Sequence, residues 1–109
     1  MGLDQYAKYQ NGDGEQVGFF YWRKHANLQG WMEALYKKKG GKGEFNCESV
    51  ELTASDLNKL KREYKKLDEA TGFFWGHSQE SDNEDVARFI ELAKMHLSEG
   101  KKVFYSSWW

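Results

Sequence analysis

Apolar positions recur along this chain with two periods, two and about 3.6, and the switches between them mark out the elements. Residues 3–9 alternate as a short strand, closed by the turn-rich Asn11-Gly12-Asp13-Gly14. Residues 16–23 predict a second strand with rings on both faces, Phe19 and Tyr21 on one and Phe20 and Trp22 on the other. Such a strand is either central and covered on both sides, or keeps one aromatic face for a ligand. Leu28, Trp31, Met32 and Leu35 fall at helical spacing and predict a helix over 25–38, stopped by Gly40-Gly41. Residues 45–52 alternate again, with Val50 and Leu52 on one side and Cys47 as a small core residue, and form a third strand. Thr53 then caps a second helix, with Asp56 three residues on and an apolar stripe of Leu57, Leu60, Tyr64 and Leu67.

Gly72-Phe-Phe-Trp-Gly76 is an aromatic run between two glycines, a short strand or a rigid plug. Ser81 and Glu84 make a capping box for a third helix over 82–98, whose inner face carries Val86, Phe89, Ile90, Ala93 and Leu97. Met95 lies opposite, flanked by Leu92 and His96, an outer apolar patch that hints at a homo-oligomer. Residues 101–109 form a last strand ending in two tryptophans. The order ββαβα(β)αβ with short links predicts an α+β fold. It is a small single domain over 1–109, a largely antiparallel sheet with about three helices packed on it.

Composition sharpens this picture at three points. Aromatic residues are 17 % of the chain, with five Trp, which excludes the disordered class. Cys47 is the single cysteine, so no intrachain disulfide or multi-cysteine zinc site is available. No apolar stretch approaches the roughly 18 residues that span a bilayer, so no membrane association is expected. The net charge of −1 hides an uneven distribution. Residues 37–66 carry 9 basic and 5 acidic groups, net +4, and residues 67–109 carry 4 and 8, net −4. Nucleic-acid binding through the basic third stays open but is not favoured by the total charge.

The most suggestive chemistry is Tyr21-Trp22-Arg23-Lys24-His25, where a strand hands over to a helix. The first turn of a helix offers free N–H groups to an anion, Arg23 can clamp phosphate, and Tyr21 or Trp22 can stack on a base. The alternative is that Trp22 is core, Arg23 lays its stem on the surface and His25 opens the helix. Lys42, between two glycines, resembles a phosphate grip, although Gly43 stands where a magnesium-binding hydroxyl would be required. Lys59, Arg62 and Lys66 share one face of the second helix opposite its apolar stripe, the position of a solvated face. Trp75 and the terminal Trp108-Trp109 supply further rings, and Phe20, Trp22, Phe74 and Trp108 together form a candidate binding platform. No histidine sits in a metal-ligand spacing, no paired carboxylates stand out, and neither a catalytic residue, a metal nor a cofactor is expected.

Several segments have company elsewhere. Met-Gly-Leu-Asp-x-Tyr-Ala at the start, Tyr21-Trp-Arg-Lys-His25 with Leu28-x-Gly-Trp31-Met32-Glu33, Gly72-Phe-Phe-x-Gly76 and Gly100-Lys-Lys-Val-Phe-Tyr-Ser-Ser-Trp-Trp109 resemble a family of small bacteriophage accessory proteins. Members are often labelled phosphoglycerate kinase, a label that does not suit a chain too short for that enzyme's two lobes. The resemblance implies a viral protein working in the cytoplasm of the infected bacterial host, dispensable for particle assembly and directed at host defence; it supplies no active site. Joined to the residues, it leads to an expectation of a non-enzymatic protein that binds and sequesters a small anionic ligand, a nucleotide immune signal of the host. The expected ligand-binding residues are Tyr21, Trp22, Arg23, Lys24, His25, Lys42, Trp75 and Trp108. The alternative is an interaction module that inhibits a host protein through an aromatic surface.

Overall fold

The computed structural model describes residues 2–67 and 82–109. Strands β1 (Asp4–Gln10) and β2 (Gln16–Arg23) form an antiparallel hairpin, followed by helix α1 (Ala26–Lys38), strand β3 (Ser49–Leu52) and helix α2 (Ala54–Glu63). A 3-10 turn, Tyr64–Lys66, extends α2; helix α3 (Asp82–Ser98) and strand β4 (Lys102–Trp108) complete the described chain. The four strands make one antiparallel sheet in the order β2-β1-β4-β3. The α+β architecture read from the sequence is the one observed.

Local signals set most boundaries. Helix α1 ends where Gly40 adopts φ 97°, its N–H donating to the Lys37 carbonyl and that of Gly41 to the Tyr36 carbonyl at 2.9 Å. This pair of bonds satisfies carbonyls that the last turn leaves open, and only glycine takes the left-handed position without steric cost. Helix α2 opens on a reciprocal capping box, the Asp56 N–H donating to Thr53 Oγ1 and the Thr53 N–H to Asp56 Oδ2.

All three helices cover one face of the sheet. Ala7, Trp22, Val50, Leu52, Val103 and Tyr105 point from the strands into a single core with Leu28, Met32, Leu57, Leu60, Val86 and Phe89 from the helices. A polar network is threaded through it. The Gln5 side-chain amide donates to the His25 carbonyl and to Tyr105 Oη at 2.8 Å, and Tyr105 donates to Gln29 Oε1 at 2.6 Å. Gln29 in turn donates to the Phe45 carbonyl at 3.2 Å, and Gln5 Oε1 accepts from the His25 N–H. Gln5, Gln29 and Tyr105 are fully buried, so each of these bonds replaces water that burial removes.

Three expectations are corrected. The pairing of β1 with β2 shifts between Ala7 and Lys8, which face Phe20 and Gly18, leaving Phe19 as the extra residue of a bulge. The bulge resets the alternation, so Phe19 joins Phe20 and Trp22 over the core, 5.9 Å from the Phe89 ring, and Tyr21 alone points outward. The third strand begins at Ser49 rather than at residue 45, because Cys47 takes a left-handed φ of 61° that breaks the pleat and leaves its side chain exposed. Finally, His96 is buried, stacked 4.2 Å from the Tyr9 ring and edge-on to Phe19, while Met95 remains exposed. The segment Gly72–Gly76 and Ser81 lie outside the described residues.

Candidate functional site

Of the eight residues singled out in the sequence, the seven within the described residues do not meet at one site. Trp22 is 3 % exposed and packs edge-on against Phe89 at 4.9 Å, a core position out of reach of a ligand. His25 is equally buried at the head of α1; burial holds its imidazole below the usual histidine range, although Asp82, 3.8 Å away, and Asp85 pull the other way. The adjacent Lys24 turns the chain between strand and helix with φ 60° and is exposed. Lys42 is exposed in the turn after α1, where its carbonyl accepts from Tyr36 Oη at 3.1 Å. Trp75 lies outside the described residues.

Tyr21, Arg23 and Trp108 do come together. Their strands place them on the sheet face opposite the helices, where Asp4 of β1 is in register with both Arg23 of β2 and Trp108 of β4. Tyr21 donates a short hydrogen bond to Asp4 Oδ1, and that bond holds its phenol above its ordinary pKa. The platform expected from Phe20, Trp22 and Trp108 is thereby corrected. Phe20 and Trp22 face the core, and the outward neighbours of Trp108 are other residues.

A concave site forms elsewhere, where the 3-10 turn after α2 meets the middle of α3. Lys61, Arg62, Lys65 and Lys66 approach from one side and Lys94 from the other, around a pocket of about 520 Å³. Ala87, the buried Ile90 and the ring of Tyr64 supply its apolar and aromatic surface, and Glu91 is the one acid among the described lining residues. None of the five cations belongs to an ion pair among the described residues. The volume falls within the range of small-molecule sites, while the lining is more charged than such sites usually are. The local fold explains the convergence. Leu57 and Leu60 seat α2 on the core, which turns Lys61 and Arg62 outward, and the tighter 3-10 winding carries Lys65 and Lys66 round toward α3.

Chemically, the pocket offers charge-assisted donors and, in Tyr64, a ring for stacking that also carries a hydroxyl. Among the described residues no group of three His, Cys, Asp or Glu could hold a metal ion, and no helix is long and apolar enough to cross a membrane. Arg62 and Lys66 were read from the sequence as a solvated helix face. The signal that pointed to them was the net charge of the 37–66 segment, and what hid them was that half the site belongs to α3. Comparison with protein-family models, with curated proteins and with solved structures finds no match to this chain.

Proposed function

We propose that the protein is a non-enzymatic binding protein that holds a small anionic ligand of the nucleotide class in the cationic pocket between α2 and α3. The observation that carries this reading is the convergence of five cations, none of them ion-paired among the described residues, on one concavity walled in part by the Tyr64 ring. The phosphates would lie between Arg62 and Lys94, and a planar base would cover Tyr64 and Ile90. Charge-assisted hydrogen bonds at about 1.5–3 kcal/mol each and stacking at about 1–3 kcal/mol together support micromolar binding. In the setting implied by the sequence resemblance, a phage accessory protein in the cytoplasm of the infected host, such affinity would sequester a nucleotide immune signal.

Calorimetry against a panel of linear and cyclic nucleotides tests this, with protein at about 100 µM, well above a micromolar Kd. At least one nucleotide is expected to bind with a Kd in the micromolar range. Arg62→Ala with Lys94→Ala should weaken it by roughly 100-fold, from two lost charge-assisted contacts. Trp108→Ala should leave it unchanged. Absence of heat with every nucleotide, or binding indifferent to the two substitutions, rules the reading out.

A further inference from the structure

The helix-free face of the sheet is the second unusual surface. An antiparallel sheet covered on one side normally presents polar residues on the other. Here β1 contributes Tyr6, β2 contributes Tyr21, and β4 contributes Phe104 and Trp108 to that outer face. Tyr21 is 50 % and Trp108 62 % exposed. Cross-strand pairing accounts for part of the array, since Tyr6 and Tyr21 are directly opposite with ring centroids 5.4 Å apart. It does not account for the rest. Phe104 and Trp108 have no ring partner among the described residues, and Trp108 is flanked in register by Asp4 and then Arg23.

Cations are interleaved with the rings. Lys8 is in register with Phe104, Lys102 lies two residues before it on β4, and Arg23 ends the row that contains Trp108. The opposing acids on this face are Asp4, already engaged by the Tyr21 hydroxyl, and Glu51 at the edge on β3. Beside Trp108 the face ends in a cleft of about 270 Å³ bordered by Gly2, Asp4 and Trp109. Phe104 and Trp108, four residues apart along one strand, stand about 13 Å from each other.

We propose that this face binds single-stranded nucleic acid, with bases stacked on Trp108, Phe104 and the Tyr6–Tyr21 pair and the backbone held by Arg23, Lys8 and Lys102. Flat rings on the central strands of an open sheet accept any base through its π-face, and cations between them follow the phosphates without reading sequence. A duplex hides the base faces and does not fit. The proposal shares no residue with the cationic pocket, so either can fail alone.

Anisotropy of fluorescein-labelled oligo(dT) and oligo(rU) 15-mers, with intrinsic Trp fluorescence read in parallel, tests it. Both strands are expected to bind and to quench the Trp signal; a tighter oligo(rU) identifies RNA as the preferred strand, a tighter oligo(dT) DNA. The logarithm of affinity should fall with that of salt with a slope of about −2, three phosphates at roughly −0.7 each. Trp108→Ala and Phe104→Ala should each weaken binding by roughly 10- to 100-fold. Trp108→Phe should restore most of it, and Arg62→Ala in the pocket should change nothing. The proposal is overturned by no binding at 100 µM protein in 50 mM salt, by equal affinity for a duplex of the same length, or by loss confined to the Arg62 variant. It is equally overturned if Trp108→Ala instead dissolves a dimer or abolishes capture of a host protein while the oligonucleotides are ignored.

Discussion

Tyr105 and Tyr21 carry the same hydroxyl in opposite surroundings, and the contrast shows where polar contacts matter in this molecule. The Tyr105 phenol is wholly buried, its ionisation pushed far above the ordinary range by burial, and it bridges Gln5 to Gln29. Tyr105→Phe keeps the ring and the packing but strands Gln29 Oε1 in the core. An unsatisfied buried acceptor costs about 1–3 kcal/mol, so the unfolding free energy from urea titration should fall by that amount, the midpoint moving down at unchanged slope. Tyr21→Phe removes a hydroxyl that bonds Asp4 at the surface, where water takes its place. Its unfolding free energy should change by no more than about 0.5 kcal/mol. Equal losses in the two variants would show that the buried network contributes no more than a surface contact.

At the level of the element, the end of α1 is a tightly constrained joint. Tyr36 stacks on Phe45 at 4.7 Å, and its ring lies so close to Gly41 that a Cβ there would meet it at 2.5 Å. Gly41→Ala therefore has to lift Tyr36 off the core and is expected to cost about 1–3 kcal/mol, read as a lower melting temperature. Gly12→Ala, where a Cβ meets nothing within 4 Å, serves as the matched control and should leave the melt in place. The same joint shows why helix boundaries could be read in advance. Caps, glycines and the 3.6-residue period are written within a few residues of the feature they specify, so α1, α2 and α3 were legible. The bulge at Phe19 was not, because an extra residue in β2 is defined by what β1 places opposite it. The left-handed turn at Cys47 was hidden for a related reason, since its N–H donates to the Ser107 carbonyl sixty residues away at 2.7 Å. The cationic pocket was hidden most deeply. Half of it was visible as a basic stripe, but only the packing of α2 on α3 turns a stripe into a concavity.

At the scale of the whole molecule, two buried imidazoles among the described residues shape the response to acid. Burial depresses both His25 and His96. Lys101 adds to the effect at His96, and the neighbouring carboxylates Asp82 and Asp85 at His25, and Glu99 at His96, only partly offset it. With folded-state pKa values below the ordinary 6.5, the unfolded chain binds more protons, so stability is fully present above that value and falls as pH drops through it. Asp56 acts lower down. Burial alone would raise it, but Lys39 and the Thr53 cap outweigh that and hold it below its ordinary 3.8, so its contribution is lost only as pH falls through the acid range. Urea midpoints should therefore be higher at pH 8 than at pH 5.5, and His96→Phe should shrink the difference; a flat profile between those values would contradict the assignment. The sheet adds a constraint of a different kind. Its two central strands are the first and last elements of the described chain, with Gln5 bonded to Tyr105 across 100 residues. Pairings so distant in sequence make folding slow, because the entropy of closing the chain is lost before any contact repays it. On the ribosome the helices can wind as they emerge, but the sheet gains its middle only when β4 is released, so a product terminated before β4 would leave β1 and β3 unjoined and lack Phe104 and Trp108.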